Sequence, residues 1–318
     1  MDATNTELRQ GEDIGVRAAT SQHVLTLDCP DSAGLVNAVS GFLLERGADI
    51  IDNLQFSDRR HIEQGAFGAN GHQGEPKGHF FMRIHFEAPA GAESVEELRK
   101  QFEPLARRHG MRWQLRPHGA KRRVLIMVSK FEHCLNDLLF RTRTGELPLD
   151  VVAVVSNHLD HQRLAEWHGI PFFHVPITAA TKPAAEARLL ELVDEFDVEL
   201  VVLARYMQVL SDGLTQQLEG KAINIHHSFL PSFKGAKPYH QAYARGVKTV
   251  GATAHYVNSE LDEGPIISQQ VVEVDHTFGP DDLVAAGRDT ECKALSNAVR
   301  WHCEGRVIVQ GNRTIVLR

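Results

Sequence analysis

The spacing of apolar residues in the first third of the chain predicts four strands and two helices. Apolar and polar residues alternate clearly along residues 79–86, which is the two-residue period of a strand with one buried face. The predicted elements are strand 23–28, helix 35–46, strand 48–57, strand 79–86, helix 94–109 and strand 111–116. Ser94 and Glu97 form a capping-box pattern at the start of the second helix. The order βαββαβ predicts a ferredoxin-like sandwich, with two helices on one face of a four-stranded sheet.

From residue 123 onward, short apolar strands alternate with helices. The strands are predicted at 123–129, 151–156, 171–175, 199–204 and 221–226, and the helices at 134–143, 162–169, 183–196 and 212–218. Strands at 249–257 and 265–274, a helix at 281–303 and a hairpin ending at Leu317 follow. This alternation predicts a Rossmann-like, mostly parallel sheet with helices on both faces. Ligands of such sheets bind beyond the carboxyl ends of the strands.

Breaks in these patterns divide the chain. The stretch 116–120 contains proline and glycine and separates the two patterns of predicted strands and helices. We predict a flexible N-terminal arm at residues 1–21, a small domain at 22–117, a linker at 118–121 and a larger domain at 122–318. Residues 61–78 contain five glycines and predict a mobile surface loop inside the small domain.

Composition and charge narrow the class of protein. Hydrophobic residues make up 42% and charged residues 24% of the 318 residues, as is usual for a globular protein. The net charge of -7 argues against a nucleic-acid partner, which would require clustered basic residues. The one dense basic cluster, residues 121–123, is typical of a solvated linker. The acidic N-terminus lacks a signal-peptide pattern, and the apolar runs are too short to span a membrane, so we expect a cytoplasmic protein.

The cysteines and histidines give no metal or redox motif. Cys29, Cys134, Cys292 and Cys303 lie far apart in the sequence, and none has the close partner typical of a zinc or disulfide motif. The 18 histidines lack the helical spacing of a metalloprotease motif. No Walker or dinucleotide fingerprint occurs in the expected place. We therefore predict that no metal and no cofactor is required.

The strongest candidate for chemistry is the strand that ends at His226. Asn224 and His226 are two residues apart, so their side chains lie on one face, while Ile223 and Ile225 enter a core. An amide is a neutral donor that can stabilise an oxyanion, and an imidazole exchanges a proton near neutral pH. The alternative is that both are polar residues on an exposed strand face.

The run 222–235 resembles the signature of the folate-dependent formyl transferase superfamily. Residues 261–267, Leu-Asp-Glu-Gly-Pro-Ile-Ile, resemble the second motif of that family in order and distance. The resemblance implies that Asn224, His226 and Asp262 are catalytic. Asp262 would orient the imidazole and favour its charged form.

Two further segments resemble the folate pocket of this superfamily. Residues 203–211 resemble the segment whose backbone holds the pterin ring, and residues 257–261 resemble the opposite wall. The resemblance implies substrate-binding roles for Arg205, Tyr206, Met207, Gln208, Leu210, His227, Asn258 and Glu260. Apolar members such as Met207 and Leu210 also fit an ordinary core at a strand exit.

The acceptor of the formyl group is indicated by residues 129–139. Transferases that act on glycinamide ribonucleotide have a glycine-rich phosphate turn here, whereas this chain has no glycine and carries Glu132 and Asp137, which would repel a phosphate. This segment, His227 and Arg205 resemble the formyltetrahydrofolate deformylases. The resemblance implies that water is the acceptor and that 10-formyltetrahydrofolate is hydrolysed to formate and tetrahydrofolate.

The small domain resembles an ACT domain, a regulatory module that binds amino acids. The residues that carry the resemblance are Asp31, Gly34 and Leu35, which also fit plain turn and capping chemistry. The resemblance implies an amino-acid effector, with methionine and glycine as candidates, and a homo-oligomer. We expect pairing through the sheet face that the two helices leave uncovered, or through a sheet edge.

Two other functions remain open at this stage. The chain could be a formyltransferase with an amine acceptor, in which case a second substrate would increase turnover. It could also be an amino-acid-responsive protein that holds folate without chemistry, although the complete set of reactive residues argues against this. Formate release distinguishes these possibilities.

Overall fold

A computed structural model of the chain describes residues 21–59, 78–89, 94–230 and 238–318. The N-terminal domain contains β1 (Ser21–Pro30), α1 (Leu35–Leu44), β2 (Asp49–Asp58), β3 (His79–Ala88), α2 (Val95–His109) and β4 (Arg112–Pro117). Its strands are antiparallel and pair in the order β2-β3-β1-β4. The predicted ferredoxin-like fold is confirmed. Ser21, which we assigned to the arm, begins β1, and the rest of the arm and most of the glycine-rich segment 61–78 lie outside the described residues.

Alternation along β1 creates the core of this domain. Leu25 and Leu27 are both buried and face the side covered by α1 and α2. Phe102 of α2 is fully buried and makes an edge-to-face contact with Phe42 of α1, with ring centroids 5.1 Å apart. The predicted capping box is present, because the Ser94 hydroxyl accepts a hydrogen bond from the Glu97 N–H at 3.3 Å.

The second domain is built on a seven-stranded sheet. Its elements are β5 (Arg122–Val128), α3 (His133–Arg143), β6 (Leu149–Ser156), α4 (Gln162–Trp167), β7 (Phe172–His174), α5 (Lys182–Glu195), β8 (Leu200–Leu203), α6 (Asp212–Gln217), β9 (Ala222–His226), α7 (Pro238–Arg245), β10 (Thr249–Tyr256), β11 (Ile266–Glu273), α8 (Pro280–Cys303), β12 (Val307–Gln310) and β13 (Arg313–Val316). The sheet order is β11-β10-β9-β8-β5-β6-β7. Strands β5 to β9 pair in parallel, and β10 and β11 add two antiparallel strands at one edge. The predicted Rossmann-like, mostly parallel sheet is confirmed.

Both faces of this sheet are buried. Ile126 of β5 packs in a core with Leu138 of α3 and Leu295 of α8. Its neighbour Met127 points to the opposite face and packs with Leu192 of α5. The continuous apolar run of β5 follows from this arrangement, because every side chain of a central parallel strand enters one of two cores.

The C-terminal hairpin joins the two domains. Ile308 of β12 and Leu317, just after β13, pack against Phe81 of β3, on the face of the small sheet opposite α1 and α2. Thr26 of β1 donates a hydrogen bond to the Gly305 carbonyl at 2.8 Å, and Arg116 of β4 pairs with Glu199 of the second domain, which also pairs with Arg122 of β5. The hairpin therefore covers part of the sheet face that we expected to be free for pairing with a second copy.

Two observations bear on the domain boundary and the membrane prediction. Residues 118–121 form the turn between β4 and β5. Among the described residues, no helix combines the length and the apolar character needed to cross a bilayer.

Candidate active site

Asn224 and His226 lie on the same face of β9, as the sequence predicts. His226 is 6% exposed, and its Nδ1 lies 3.1 Å from Asp262 Oδ2. Because a carboxylate can only accept, His226 Nδ1 donates the proton of this hydrogen bond. His226 Nε2 is buried and has no hydrogen-bond partner among the described residues. This nitrogen is therefore free to exchange a proton with a bound molecule.

A tight turn places Asp262 beside His226. Asp262 adopts the left-handed conformation with φ 59, which non-glycine residues rarely adopt. Two residues later, a Cβ added to Gly264 would lie 1.8 Å from the Tyr256 carbonyl oxygen. Glycine is therefore required for the chain to pass so close to the end of β10, where the Tyr256 N–H donates to the Pro265 carbonyl at 2.9 Å. The strain at Asp262 marks a position held for its side chain.

His255 is a site residue that sequence reasoning missed. It lies opposite Asn224 in the antiparallel pairing of β9 and β10, and its Nε2 is 3.3 Å from Asn224 Nδ2. Its Nδ1 is 2.9 Å from the Tyr256 carbonyl oxygen, so Nδ1 carries a proton. In the neutral ring, Nε2 then accepts from the Asn224 amide and fixes its orientation. The second N–H of Asn224 remains available to the cavity.

Asp262 is ionised in this arrangement. Burial alone would raise the pKa of its carboxyl, but the hydrogen bond from His226 and the charge of His226 lower that pKa well below its usual value. His255 Nε2 lies 3.7 Å from Asp262 Oδ1, which is too long for a direct hydrogen bond. Asp262 therefore acts mainly on His226, where a fixed negative charge stabilises a protonated imidazole.

A cavity of about 370 Å³ opens in front of these residues. Its walls come from the loop after β8 and from the segment that follows β10, the two segments proposed to form the folate pocket. All of the proposed binding residues line it: Arg205, Tyr206, Met207, Gln208, Leu210, His227, Asn258 and Glu260. Met207 is 51% exposed and Leu261 64% exposed, whereas Tyr206 is buried. Exposed apolar side chains at a concave mouth favour a binding surface over an ordinary core.

Ser129 fixes the first of these walls. Its N–H donates to the Arg205 carbonyl at 3.3 Å, and its hydroxyl oxygen accepts from the Met207 N–H at 3.0 Å. The hydroxyl itself donates to Asn157 Oδ1 at 2.7 Å. On the second wall, the Glu260 N–H donates to Asn258 Oδ1 at 3.1 Å. Side chains thus hold both loops in shape.

A buried carboxylate, Glu291 of α8, lies near the end of β9 and binds several polar side chains. It accepts hydrogen bonds from His133 Nε2 at 2.7 Å and from the Tyr239 hydroxyl at 2.8 Å, and Arg205 Nε is 3.2 Å away. Burial alone would raise the pKa of Glu291, but the bond from His133 and the charge of Arg205 lower it. A side chain at Gly287, one turn earlier, would collide with the Tyr239 ring at 2.1 Å. The absence of a side chain at Gly287 therefore lets Tyr239 reach Glu291.

His227 lies between His226 and this network. Its ring lies 5.1 Å from that of His226 and 6.4 Å from that of Tyr239, measured between centroids. Burial, followed by the charges of Arg205 and His226, lowers the pKa of His227 to about 4. His227 is therefore neutral at physiological pH.

The structure brings together two cysteines that are distant in the sequence. Cys134 of α3 hydrogen-bonds Cys292 of α8, and this contact and burial raise the pKa of Cys134 well above its usual value. His133, Cys134 and Glu291 place ligand-type atoms within 4.8 Å of one another. The histidine and carboxylate already bond each other and the thiol is protonated, so this donor set favours hydrogen bonding over metal binding.

The acidic residues of the β5 exit loop have roles that differ in part from those predicted. Asp137 forms an ion pair with Arg141 one turn later on α3, at 2.9 Å, so its charge is neutralised there. Glu132 is exposed and lies 3.7 Å from His161. His133, next to it, is engaged with Glu291. The phosphate-repelling role that we gave to Asp137 is therefore not supported by its position.

The proposed effector residues lie in the turn between β1 and α1. Asp31 pairs with Arg59 at 3.2 Å. Gly34 has φ 89 and precedes α1, and Leu35 is 2% exposed, in the core of the small domain. This geometry fits the turn part of the alternative, whereas no side chain caps α1 by a hydrogen bond, and an effector role for these residues remains a prediction.

Comparisons with known proteins show the family to which the chain belongs. The family described as formyl transferase matches residues 122–299. A formyltetrahydrofolate deformylase of Corynebacterium sp. (strain P-1) is 62% identical over 297 residues, covering 93% of this chain and 98% of that protein. The crystal structure of a formyltetrahydrofolate deformylase from Burkholderia mallei superposes with a TM-score of 0.85 at 49% identity, covering 94% of this chain and 100% of that one.

A third comparison concerns a shorter protein, which covers about two thirds of this chain. Glycinamide ribonucleotide transformylase 1 from Symbiobacterium toebii superposes with a TM-score of 0.59 at 31% identity, covering 64% of this chain and 98% of that one. The transferase thus matches about the length of the second domain, whereas the deformylases extend over both. With a relative of 62% identity that spans 93% of the residues, this chain belongs to the formyltetrahydrofolate deformylase family.

Proposed function

We propose that this chain hydrolyses 10-formyltetrahydrofolate to formate and tetrahydrofolate. The observation that carries the proposal is the hydrogen bond of 3.1 Å between His226 and Asp262 at the wall of a 370 Å³ cavity, in a chain whose relatives are named for this activity. Such a pair supplies the proton transfer that C–N cleavage requires.

The residues divide the chemistry between them. The free N–H of Asn224 donates to the formyl oxygen and stabilises the negative charge that develops there. His226 Nε2 takes a proton from the attacking water and returns it to the departing nitrogen of the folate. Asp262 stays ionised and stabilises the imidazolium between these steps. His255 keeps the Asn224 amide oriented.

The loops around the cavity hold the folate. Backbone groups of residues 205–210 face the pterin ring from one side, and residues 257–261 from the other. The apolar side chains of Met207 and Leu261 at the mouth cover the remaining apolar surface of the substrate. These assignments involve no metal and no cofactor, and we expect treatment with a chelator to leave the activity unchanged.

The small domain is proposed to be the regulatory part. We take residues 22–117 as this unit, 118–121 as the linker and 122–318 as the catalytic unit. We expect the small domain to bind a small amino acid as an effector and to mediate the assembly of oligomers. We expect the enzyme to be cytoplasmic. Because the C-terminal hairpin packs on the sheet face, pairing would use a sheet edge or the helices. Titration of activity with methionine and with glycine, together with light scattering, tests both expectations.

The amine-acceptor alternative is tested in the same assay as the hydrolysis. Purified protein is given 10-formyltetrahydrofolate, with and without saturating glycinamide ribonucleotide, and formate is measured. We expect formate release at the same rate in both reactions. Formylated ribonucleotide in place of formate would establish a transferase, and folate binding without release of formate would establish a binding protein.

A further inference from the structure

Among the described residues that line the active-site cavity, Arg205 is the one lysine or arginine. The same wall carries three carboxylates: Asp212, Glu260 and Asp262. The neighbouring His227 is neutral. Within the described part of the chain, Arg205 therefore supplies the one permanent positive charge that an anion formed in this cavity would meet.

The guanidinium of Arg205 is buried, but no described residue accepts a hydrogen bond from it. Arg205 is 8% exposed, and among the described residues its side chain donates no hydrogen bond. Glu291 is 3.2 Å from Nε, but the N–H is not directed at the carboxylate, so the contact is an ion pair only. The face of the guanidinium lies 5.3 Å from the ring centre of Phe131. A buried guanidinium with unused donors is costly unless a ligand accepts from them.

The backbone at Arg205 adopts a conformation that is unusual for a residue with a side chain. Its φ is 63, in the left-handed region that favours glycine. The Ser129 N–H fixes the Arg205 carbonyl, and the Glu291 network fixes the side chain from behind. An arginine at a position where glycine would be less strained indicates a role for its side chain.

Glu291 restrains Arg205 but is itself shared. His133 and Tyr239 both donate to the Glu291 carboxylate, and Gly287 leaves room for the Tyr239 ring. These two hydrogen bonds compensate part of the negative charge of Glu291. Glu291 therefore holds Arg205 in place without fully neutralising its charge, and the guanidinium still attracts a second anion.

We propose that the Arg205 guanidinium forms a subsite for the formate anion, the small carboxylate product of the hydrolysis. The inference rests on the proposed function. In that reaction the water oxygen bonds to the formyl carbon and the C–N bond breaks. One water proton passes to the folate nitrogen, and the formic acid formed releases its remaining acidic proton to become formate. Near Asp262 this anion would be repelled, whereas a planar guanidinium matches a carboxylate in charge and shape.

The test measures formate binding directly, so it does not depend on turnover. Sodium formate is titrated into the full-length protein with tetrahydrofolate present, and the Kd is determined by calorimetry or by carbon-13 NMR of labelled formate. Sodium chloride at equal ionic strength serves as the blank. Thermal unfolding is recorded for each variant to confirm that it folds.

Three variants give a pattern that a merely structural role would not produce. We expect R205Q to weaken formate binding by at least about 10-fold, the effect of losing a charge-assisted hydrogen bond, and R205K to weaken it less. We expect E291Q to tighten formate binding, because the competing carboxylate is removed while the size of the side chain is kept.

The matched control is R188Q, which alters an arginine on α5 that pairs with Glu191 at 2.8 Å. Its Kd for formate should stay within about twofold of the wild type, as expected for a surface charge.

Two results would overturn the subsite. One is folded R205Q with the wild-type Kd for formate, and the other is E291Q with unchanged or weaker binding. If R205Q does not fold, R205K and E291Q decide the matter by the same criteria. A wild type that binds formate through Arg205 but releases none from 10-formyltetrahydrofolate would refute the proposed function and keep the subsite. Hydrolysis without Arg205-dependent formate binding would refute the subsite alone.

Discussion

Asn224 and His255 face each other across β9 and β10, with Asn224 Nδ2 3.3 Å from His255 Nε2. His255 also donates to the Tyr256 carbonyl, so its ring is held at both nitrogens. The amide that we assign to the formyl oxygen is therefore oriented by a neighbour that also lines the cavity.

The first prediction concerns this orientation. H255A should lower kcat by about 10- to 100-fold, because a misplaced oxyanion donor loses much of its effect. The KM for the folate should change much less. In the double variant N224A/H255A, the loss should equal that of N224A alone, since His255 acts through Asn224. Additive losses would show that His255 has a separate role.

The second prediction concerns Asp262. D262N keeps the size of the side chain and removes the charge that stabilises protonated His226, so turnover should fall by about two orders of magnitude or more while folate binding persists. Unchanged turnover in a folded variant would reduce Asp262 to a turn residue.

Asp262 should also make the free energy of unfolding depend on pH. Its pKa is lowered in the folded state, so its contribution to folding is present above the unfolded pKa of about 4 and is lost as the pH falls further. The difference in unfolding free energy between the wild type and D262N should be constant near neutral pH and shrink in acid. Denaturant unfolding over that pH range measures it.

The third prediction tests the turn that presents Asp262. G264A should lower both the thermal midpoint and kcat, because a Cβ would meet the Tyr256 carbonyl oxygen at 1.8 Å. The matched control is G213A on α6, where an added Cβ meets nothing within 4 Å. Alanine is the better helix former, so G213A should be neutral or stabilising. Equal behaviour of the two variants would argue against the close approach at Gly264.

The fourth prediction uses His227. Its pKa of about 4 in the folded state lies below the usual value of 6.5, so the unfolded chain binds more protons between these two pH values. The wild type should therefore lose stability as the pH falls from 6.5 toward 4, and H227N should lose less over the same window. NMR titration of the His227 ring near neutral pH would contradict the buried, neutral assignment.

Most strands and helices could be predicted because their apolar periods match the environments that the structure gives them. The helix α7 (Pro238–Arg245) had no predicted counterpart. Asn224 and His226 were predictable from the same rule, since alternation along β9 places both on one face. Asp262 was found only through the resemblance of its motif, because a turn residue carries no periodicity.

The remaining site residues depend on relationships that one sequence does not contain. His255 becomes a partner of Asn224 through the register of β9 and β10, which no local pattern sets. Glu291 did leave a signal, because it interrupts the buried stripe of α8 that includes Ala294, Leu295 and Ala298. A charge at such a position indicates a buried partner, but the identity of Arg205 as that partner required the fold.

The packing of the C-terminal hairpin on the small sheet was likewise outside the reach of the sequence. Ile308 and Leu317 have the apolar character of any hairpin, and Phe81 that of any strand. Their contact arises from the docking of two domains, so the exposed sheet face expected from the ferredoxin-like pattern is partly covered.

The central claim is that water accepts the formyl group, and oxygen-18 water tests it most directly. The protein is incubated with 10-formyltetrahydrofolate in labelled water, and both products are analysed by mass spectrometry. We expect one formate per tetrahydrofolate, with at least one labelled oxygen in each formate. Tetrahydrofolate formed without labelled formate, or a formyl group recovered on an added amine, would contradict it.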